Sequence, residues 1–539
     1  MTGWNFATVF EEIAARLPDA PAQEYADQVY TWSAFDRRAN ALARVLLDRG
    51  IQHQDKIAQY LYNCPQYLES IFAAFKVGMA PVNTNYRYTD DELVYLWDNA
   101  DAVAVVFHGT FTAVIERIRS RVPRIHTWIW VDDQTSSCPS WALDYEDIVN
   151  GSTSATYSDH VTAPWGRSGD DLLLLYTGGT TGMPKGVMWR QEDLLLTLDS
   201  NNKKRLPPAP EPGVLDERTT RPGPRNVPAA PLMHGTGLFN ALSNLMAAGC
   251  IVTMPGRKFD PVELLDTIQS KKINSMSIVG DAFAKPLLRV LDEQPGRWDI
   301  SSLRVIVSSG VMFAAETKAG LLAHSNRLIM VDALGSSEAI GMAQNTTSAD
   351  GEARTATFEL GPNTRVLTED GREVLPGSGE LGRVALRGNT PIGYYKDPQK
   401  SAQTFQVIDG IRWSIPGDWA SIDADGTVHL LGRGSQCINT GGEKVYPEEV
   451  EEILKLHPTV ADAAVVGLPD ERFGQAVTAL VEPLPGQSID AAALIAHTRQ
   501  HLAAYKSPKQ IVEVDTLARA GNGKLDYKAL TERAQNALR

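Results

Sequence analysis

Two spacings of apolar residues alternate along the first hundred residues of the chain. Residues 34–50 carry apolar side chains at helical intervals and end at a glycine, whereas 56–61 form a short run typical of a buried strand. The same criteria predict a helix over 67–78, a strand over 80–83, a helix over 91–100 and a strand over 102–107. Strands that alternate with helices favour parallel sheets covered by helices on both faces.

The rest of the chain departs from this rhythm and later returns to it. A segment rich in proline and charge at 201–228 predicts a surface insertion. From Phe358, short strands with Gly-rich turns predict a smaller β unit, and helices and strands alternate again beyond residue 434. We therefore predict an α/β protein. Its large N-terminal domain (1–433) contains two parallel-rich, helix-covered sheets and the small β unit, and a small α+β C-terminal domain (434–539) follows.

Composition narrows the functional class. The chain has 539 residues, 43% of them hydrophobic and 22% charged, and its formal net charge of −14 argues against nucleic acid as a partner. Cys64, Cys138, Cys250 and Cys437 lie far apart without a C-x-x-C pair, which favours a reducing, cytoplasmic setting. We expect no signal peptide, because the first residues lack a basic region, and no transmembrane segment, because no window approaches about 18 uninterrupted apolar residues.

The stretch YTGGTTGMPKG at 176–186 carries the strongest chemical signal. It follows the apolar run Leu172–Leu175, so a loop rich in glycine and threonine begins where a buried strand ends. Backbone amides freed by glycine, threonine hydroxyls and a lysine favour a polyphosphate, although a mobile surface loop is the alternative. Gly186 after Lys185 excludes a Walker A loop, and Thr177 excludes a dinucleotide fingerprint. The residues expected to contact phosphates are Thr177, Gly178, Gly179, Thr180, Thr181, Gly182 and Lys185.

Further short stretches follow this loop in order: GSSE at 335–338, GDW at 417–419 with GR at 432–433, and GNGK at 521–524. Together with the loop they resemble the adenylate-forming enzymes, a superfamily that includes acyl- and aryl-CoA synthetases, peptide-synthetase adenylation domains and firefly luciferase. Each stretch alone is a weak signal, but the ordered set spans almost the whole chain.

This resemblance implies an AMP-forming acyl-CoA synthetase, an acid–thiol ligase. A carboxylate attacks the α-phosphate of ATP, pyrophosphate leaves, and the thiol of coenzyme A then displaces AMP from the acyl-adenylate. The implied partners are a small-molecule carboxylic acid, ATP with Mg²⁺, and coenzyme A as co-substrate. The segments MPKGVMWRQEDL and IVGDAFAKPLL and the proline-rich insertion look most similar to actinobacterial fatty-acyl-CoA and steroid side-chain-CoA ligases.

The same resemblance assigns three catalytic residues: Lys524, Glu338 and His234. Lys524 matches the lysine that bridges carboxylate and phosphate, although a lysine in a turn is most often simply exposed. Glu338 matches the magnesium-binding glutamate, with Thr177 as a second metal contact, because a carboxylate beside phosphates needs a cation between them. A helix N-terminal acid is the structural alternative for Glu338. His234 resembles a residue near the acyl and CoA channel, but a lone histidine is as often structural.

Other residues are expected to bind the nucleotide. Asp418 resembles the aspartate that accepts hydrogen bonds from the ribose, and Arg433 resembles the arginine that assists it. Taken alone, Asp418 would be a turn residue. Leu334 replaces the aromatic residue that many relatives place against adenine, so stacking is weaker or depends on the stretch around residues 308–312. The remaining nucleotide contacts are expected from Ser309, Gly310, Val311, Gly335, Ser336 and Ser337.

The resemblance also implies a mobile C-terminal domain that rotates between the two half-reactions. The family hinge is usually Asp or Lys, and by count that position is Gln436 here, so the pivoting residue stays open. Gly441 and Gly442 resemble the segment that enters to line the pantetheine tunnel, where glycine permits close backbone approach.

Two other functions remain open. An adenylating enzyme could load a separate acyl carrier protein instead of coenzyme A, and an ATP-sensing protein without catalysis is the alternative outside enzymes. The presence of both Lys524 and Glu338 argues against the sensor. An amino-acid substrate is disfavoured, because residues 232–241 offer no acid for an ammonium group. Acyl chain length, the acceptance of steroid acids and a homodimer stay open.

Overall fold

The protein is described from a computed structural model that covers most of the chain. The described residues are 3–151, 160–177, 183–200, 202, 205–211, 213–216, 218–351, 353–433, 438–440, 443–470, 474–502, 504–520, 523 and 525–538.

The helices match the helical patterns of the sequence closely. They are α1 (Phe6–Arg16), α2 (Trp32–Asp48), α3 (Pro65–Lys76), α4 (Asp90–Asn99), α5 (Thr112–Ile118), α6 (Tyr145–Asn150), α7 (Gln191–Asp199), α8 (Gly235–Met246), α9 (Pro261–Lys271), α10 (Asp281–Glu293), α11 (Ala315–His324), α12 (Pro398–Thr404), α13 (Pro447–Lys455), α14 (Ala491–His501) and α15 (Tyr527–Ala537). Within the described residues, none of these helices combines the length and the hydropathy needed to cross a lipid bilayer.

The strands fall into three sheets. They are β1 (Pro21–Tyr25), β2 (Gln28–Thr31), β3 (Lys56–Tyr60), β4 (Ala80–Asn83), β5 (Ala102–His108), β6 (Thr127–Val131), β7 (Leu143–Asp144), β8 (Leu172–Thr177), β9 (Lys185–Arg190), β10 (Arg225–Pro228), β11 (Cys250–Thr253), β12 (Ser275–Ile278), β13 (Val305–Ser309), β14 (Ile329–Ser336), β15 (Ala339–Thr347), β16 (Thr357–Leu360), β17 (Thr364–Leu367), β18 (Gly382–Arg387), β19 (Gly393–Tyr394), β20 (Phe405–Ile408), β21 (Ile411–Ser414), β22 (Asp418–Ile422), β23 (Val428–Arg433), β24 (Ile438–Thr440), β25 (Glu443–Val445), β26 (Val460–Asp470), β27 (Gly474–Pro483) and β28 (Gln510–Glu513).

The long sheet joins a parallel half to an antiparallel half. Its order is β2-β1-β11-β10-β12-β13-β14-β15-β16-β23-β22-β18-β21-β20, with β17 beside β18. Neighbours from β1 to β14 run parallel, and neighbours from β14 onward run antiparallel. The small β unit predicted from Phe358 is therefore present. It continues the long sheet through β16, which pairs with β15 on one side and β23 on the other.

The second sheet has the order β19-β9-β8-β4-β3-β5-β6-β7, and the third has β25-β24-β27-β26 with β28 beside β27. In the second sheet, the strands from β8 to β7 run parallel, while β9 and β19 are antiparallel additions at one edge. Two parallel-rich sheets, a small β unit and a small α+β unit near the C-terminus thus confirm the predicted fold class.

The largest buried apolar cluster lies between the long sheet and the second sheet. It combines side chains of α1, α2, α3 and α8 with those of β8 and β9 in one sheet and β11 in the other. Aromatic rings fill its centre, with ring centroids of Phe10 and Phe72 5.3 Å apart and those of Phe35 and Phe72 5.0 Å apart. This shared core holds the two sheets against each other, so the ends of their strands have fixed relative positions.

The prediction of a surface insertion over 201–228 was wrong for part of that segment. Residues Arg225–Pro228 form β10, which lies inside the long sheet between β11 and β12. Leu206 and Leu215 are buried in the core between the sheets. Proline and charge dominate the composition of the segment and hide these short apolar positions, because a four-residue strand ending in proline resembles a loop in sequence.

Candidate active site

A cavity of about 1730 Å³ lies at the carboxyl ends of β8, β13 and β14. Ligands of open α/β sheets bind at such strand ends. The C-terminal part of the chain closes one side of it with Ala520, Leu525 and Asp526. The residues predicted for the site that line the cavity are Thr177, His234, Ser309, Gly310, Gly335, Ser336 and Ser337. Segments more than three hundred positions apart in the chain therefore line the same cavity.

The predicted phosphate loop connects an antiparallel hairpin. Strands β8 and β9 pair so that Thr177 lies opposite Lys185, and residues 178–182 between them are outside the described residues. Tyr176 lies opposite Gly186, and a Cβ at residue 186 would lie 2.6 Å from the Tyr176 ring. Glycine is therefore required at this position of the motif.

One buried amide holds the base of this hairpin. Asn83, the last residue of β4, donates from Nδ2 to the Tyr176 carbonyl at 2.8 Å and to the Met233 carbonyl at 2.7 Å. Its Oδ1 accepts the Tyr176 amide at 2.6 Å. Met233 precedes His234, which stands at the N-terminus of α8 and faces the cavity. A single side chain thus fixes both the end of β8 and the predicted catalytic histidine segment.

Lys185 is paired with an acid that the sequence did not suggest. Its Nζ lies 2.6 Å from Asp397 Oδ2, and the two side chains are 39% and 31% exposed. The Lys185 ammonium holds the pKa of Asp397 below its usual range. Asp397 Oδ1 also accepts the Lys400 amide at 2.9 Å and so caps α12. Among the described residues that line the cavity, Thr177 is present and Lys185 is not.

Glu338 lies in the turn between β14 and β15, so the alternative of a helix N-terminal acid was wrong. The residues after the GSSE motif form the strand β15 instead of a helix. Tyr394 donates its hydroxyl to Glu338 Oε1 at 2.7 Å, and Ser414 donates to the Glu338 carbonyl at 2.7 Å. Trp189 Nε1 donates to the Ser337 carbonyl at 2.9 Å. The turn is therefore held from the second sheet and from the small β unit.

Asp418 and Arg433 are paired positions on neighbouring strands. Asp418 begins β22, Arg433 ends β23, and the two residues lie opposite each other in the antiparallel register. The alternative of a plain turn residue was therefore wrong for Asp418, which is 7% exposed. Asp418 is not among the described residues that line the cavity, and the side chain of Arg433 is outside the description.

The stretch after β13 lies beside Gly523, the described residue of the GNGK motif. Gly310 lines the cavity. Its φ of +94° is a backbone conformation that favours glycine. Val311 turns toward the C-terminal part of the chain instead. A Cβ at Gly523 would lie 3.1 Å from Val311 Cγ2 and 3.2 Å from Ala282 Cβ. The residue directly before Lys524 therefore packs against the edge of the cavity.

Several predicted residues lie outside the described part of the chain. These are Gly178, Gly179, Thr180, Thr181, Gly182, the hinge position Gln436, Gly441, Gly442 and Lys524. Their roles stay predictions.

Sequence reasoning missed Asn83, Tyr394 and Asp397. The Asp397-Pro398 pair is a recognisable helix start, because aspartate is a good N-cap and proline suits the first helical position. That signal predicts the cap of α12. Nothing local to these residues signals that Asp397 would also reach Lys185, more than two hundred positions earlier.

Comparison with known proteins identifies the family. Residues 10–395 match the family described as AMP-binding enzyme, and residues 449–524 match the one described as AMP-binding enzyme C-terminal domain. The chain belongs to the AMP-binding enzyme family. The resemblance read from the ordered motifs is thereby confirmed.

Relatives of this AMP-binding enzyme are acid–CoA ligases by name. It is 38% identical over 533 residues to the medium/long-chain-fatty-acid–CoA/3-oxocholest-4-en-26-oate–CoA ligase of Mycolicibacterium smegmatis. The match covers 97% of this chain and 95% of the relative. It is 37% identical to the 3-oxocholest-4-en-26-oate–CoA ligase of Rhodococcus rhodochrous, over 97% and 95% of the two chains. It is also 37% identical to the medium-chain acyl-CoA ligase Mig of Mycobacterium avium, over 99% of each chain.

Solved structures share the fold over the full length. The anthranilate CoA ligase AuaEII in complex with anthranoyl-AMP has a TM-score of 0.83 at 22% identity and covers 100% of this chain and 98% of its own. ATP-bound MatB from Rhodopseudomonas palustris has a TM-score of 0.80 at 27% identity and covers 99% and 100%. The AMP-binding enzyme therefore has the architecture expected from its motifs.

Proposed function

We propose that this enzyme is an ATP-dependent acyl-CoA ligase that activates a medium- or long-chain fatty acid or a steroid side-chain acid. One observation carries the proposal: Thr177, the Gly335–Ser337 turn, His234 and a wall of C-terminal residues line a single cavity. Its relatives are named for the same class of reaction.

In the first half-reaction the carboxylate oxygen of the acid attacks the α-phosphorus of ATP. The bond from this phosphorus to the bridging oxygen breaks, and pyrophosphate leaves with the electron pair. Both reactants are anions, so the chain must supply preorganised positive charge and hydrogen-bond donors. Thr177 and Ser337 offer hydroxyl donors at the cavity wall. We assign the bridging ammonium to Lys524, because its neighbour Gly523 packs at the edge of the cavity.

In the second half-reaction the thiolate of coenzyme A attacks the acyl carbon and AMP leaves. Asp418, opposite Arg433, suits the ribose hydroxyls because a carboxylate accepts both of their protons in hydrogen bonds. Gly441 and Gly442 are proposed to line the pantetheine path, and His234 borders the space where acyl group and thiol meet.

The residues present fit a magnesium ion. Glu338 and Thr177 provide a carboxylate and a hydroxyl, the oxygen donors that Mg²⁺ prefers. Glu338 accepts its hydrogen bond from a neutral hydroxyl, so its negative charge is not cancelled by that partner. When bound, the ion would neutralise charge on the phosphates.

The size and lining of the cavity support a bulky acyl group. Its volume of about 1730 Å³ exceeds the roughly 300–1,000 Å³ typical of small-ligand pockets, so nucleotide and acid can share it. Apolar side chains that line the cavity can contact a hydrocarbon or sterol skeleton: Leu196, Met233, Phe239, Val279 and Ile340.

A substrate screen tests the proposal. The enzyme is incubated with ATP, Mg²⁺ and a panel of fatty, aryl and steroid side-chain acids, with and without coenzyme A, and AMP and thioesters are followed by mass spectrometry. We expect AMP release to depend on coenzyme A and thioesters of the longer acids to dominate. AMP release that ignores coenzyme A would instead support loading of a separate carrier protein. Lys524→Ala should lower acyl-adenylate formation by about 10²-fold or more.

We further propose that the C-terminal unit beyond residue 434 rotates between the half-reactions. The packing of Gly523 against Ala282 and Val311 suits adenylation. Ala282→Cys with Gly523→Cys brings two Cβ atoms to 3.2 Å, slightly closer than the roughly 3.5–4.5 Å of disulfides. Oxidation of this pair should spare acyl-adenylate formation and block thioester formation, with reversal by reductant. Full thioester formation in the oxidised variant would contradict the rotation.

A further inference from the structure

A short segment of the chain touches both of the charged groups expected to meet the phosphates. Strand β19 pairs antiparallel with β9, and the Tyr395 amide donates to the Gly186 carbonyl at 2.8 Å. The segment Tyr394–Asp397 therefore runs beside the start of β9, which is Lys185. This placement follows from the edge position of β19 in the second sheet.

Tyr394 is the contact to Glu338. Its side chain is buried, and its ring packs against Phe405 with centroids 5.8 Å apart. Its amide donates to Ser401 Oγ at 2.8 Å, so both the backbone and the ring are held. The position of the hydroxyl oxygen, which donates to Glu338 Oε1 at 2.7 Å, is therefore fixed by the ring and the backbone.

Asp397 is the contact to Lys185. One carboxylate oxygen caps α12 through the Lys400 amide at 2.9 Å, and the other meets Lys185 Nζ at 2.6 Å. The Lys185 ammonium also lies 5.9 Å from the centroid of the Tyr394 ring. Residues three positions apart thus hold the glutamate and the lysine at a set separation.

We propose that Tyr394 and Asp397 are positioning residues for the phosphate site: Tyr394 orients the Glu338 carboxylate and Asp397 holds the Lys185 ammonium. Among the described residues that line the cavity, none of these four side chains appears, but Thr177 and Ser337, which do line it, stand opposite Lys185 in the strand register and directly before Glu338. Tyr394 and Asp397 contact Glu338 and Lys185, so any effect they have on the phosphate site passes through these two partners. The inference rests on the proposed function, because it takes Glu338 and Lys185 to be the groups that meet Mg·ATP.

The contact of Tyr394 with Glu338 and the contact of Asp397 with Lys185 are expected to affect nucleotide binding in different ways. A carboxylate that accepts a hydrogen bond from a fixed hydroxyl has already lost rotational freedom before the ligand binds. Binding then costs less conformational entropy. An ammonium has three donors and can keep one on Asp397 while it turns others to phosphate oxygens. Removing the hydroxyl should therefore weaken metal-dependent nucleotide binding. Removing the Asp397 charge should misplace the lysine without weakening the attraction for ATP.

Tyr394→Phe tests the first contact, because it keeps the ring and deletes only the hydroxyl. The readout is calorimetric binding of ATP, with Mg²⁺ and with EDTA, in the full chain without acid or coenzyme A. We expect the gain in ATP affinity caused by Mg²⁺ to fall about tenfold, with metal-free binding unchanged. Tyr395→Phe is the matched control, since it deletes a hydroxyl that donates to Asp101 at 2.8 Å, and it should leave both affinities unchanged.

A double-mutant cycle separates positioning from general structural support. In a Glu338→Gln background, Tyr394→Phe should have less than a twofold further effect on metal-dependent binding, because the carboxylate it orients is gone. Full additivity of the two substitutions, or an equal loss with and without Mg²⁺, would overturn the role of Tyr394.

Asp397→Asn tests the second contact, because asparagine still caps α12. We expect kcat for acyl-adenylate formation to fall about tenfold while KM for ATP does not rise. Asp101→Asn, which breaks the 2.8 Å pair with Lys396 in the same segment, is the control and should change neither constant. A raised KM with an unchanged kcat would overturn the role of Asp397.

The outcomes remain distinguishable from failure of the proposed function. If no acid is activated by the wild-type enzyme, the ligase proposal fails, yet the binding experiment on Tyr394 still reports on metal and ATP alone. If acids are activated normally by both Tyr394→Phe and Asp397→Asn, the ligase proposal stands and the positioning roles are wrong.

Discussion

Two lysines form ion pairs with acidic side chains, one in the protein interior at the end of α3 and one at the edge of the cavity at the start of β9. The two regions differ in the exposure of the lysine and in its partners. Lys76 is fully buried and lies 2.5 Å from Glu11 Oε1 and 2.6 Å from Asp36 Oδ1. Lys185 is 39% exposed, and among the described residues its acidic partner is Asp397 at 2.6 Å. The ion pairs of the two lysines therefore have similar lengths, but one is buried and the other is partly exposed to solvent.

The interior cluster is closed to further ligands. Arg167 adds a second cation, with its Nη1 2.6 Å from Glu11 Oε2, so two acids face two cations. Burial alone would raise the pKa of Glu11, but Arg167 and Lys76 outweigh burial and hold the pKa below its usual range. The oxygens of Glu11 and Asp36 also approach a nitrogen of His160 within 4.8 Å, as metal ligands would. The resident cations already balance these charges, so we interpret the cluster as structural.

The cavity edge differs because its charges are not locked in the interior. Lys185 and Asp397 are both partly exposed, so the lysine can exchange a contact with the acid for one with a phosphate oxygen. Within the part of the chain that the structure describes, Glu338 accepts a hydrogen bond from the neutral Tyr394 hydroxyl. The comparison indicates how to distinguish a charged side chain that stabilises the fold from one that can bind a ligand. Burial and the number of charged partners are more informative than the distance between the paired atoms.

Lys76→Met tests the structural side and should have the largest effect on folding. It leaves Glu11 and Asp36 without their shared cation in the interior, so the free energy of unfolding should fall by about 3–5 kcal/mol. Denaturant unfolding measures this change. Lys272→Met is the control, because that lysine is 63% exposed and its pair with Asp299 is 3.4 Å long, and it should change stability by less than about 0.5 kcal/mol. Equal effects of the two substitutions would break the comparison.

Glu338→Gln tests the ligand-facing side. We expect acyl-adenylate formation to fall about 10²-fold, because the charge proposed to bind Mg²⁺ is lost, while the unfolding free energy changes by less than about 0.5 kcal/mol. Single-turnover assays measure the rate. Glu359→Gln removes the same charge from a residue that lines the cavity and should change the rate less than about threefold. A large loss of stability in Glu338→Gln would instead place this glutamate with the interior cluster.

The sequence predicted the fold better than the contacts between distant segments. Apolar periodicity found α2, α3, β3 and β8, because burial on one face imposes a spacing that local sequence must carry. It missed β10, since four residues that end in proline carry too little periodicity. Strand pairing across the sheet is a property of the whole fold, so the continuity of the long sheet through β16 was not visible in local sequence.

The site shows the same division. The motifs led to Thr177, Ser337 and the pairing of Asp418 with Arg433, because those residue types follow from the chemistry of phosphate and ribose. They did not lead to Tyr394 or Asp397, whose partners lie 56 and 212 positions away in the chain. A tyrosine or aspartate has many roles, and it is the pairing of β19 with β9 that places these two residues beside Lys185 and Glu338.

Lys185→Gln sharpens the comparison at the cavity edge with a smaller expected effect. Loss of the ammonium should raise KM for ATP about tenfold, because a cation proposed to meet the phosphates is removed. Stability should stay nearly unchanged, since the pair is partly exposed. ATP titrations of acyl-adenylate formation measure the change. Lys396→Gln, a neighbour whose 2.8 Å pair is with Asp101, serves as control and should leave KM for ATP unchanged. Destabilisation comparable to that of Lys76→Met would contradict the proposed difference.

The smallest expected effect is the pH dependence of the exposed pair. Because Lys185 lowers the pKa of Asp397 in the folded protein, the pair contributes stability above the ordinary aspartate value of about 3.8 and loses it as pH falls through the folded value. For a partly exposed pair this contribution should be well under about 1 kcal/mol. Denaturant midpoints of wild type and Asp397→Asn should differ slightly at pH 7 and converge in acid, more completely in high salt. For Glu11→Gln, the difference in denaturant midpoint from wild type should also shrink in acid. The change should be larger than for Asp397→Asn, because Glu11 is buried between two cations. If the two amplitudes were equal, exposure would not be what distinguishes these regions.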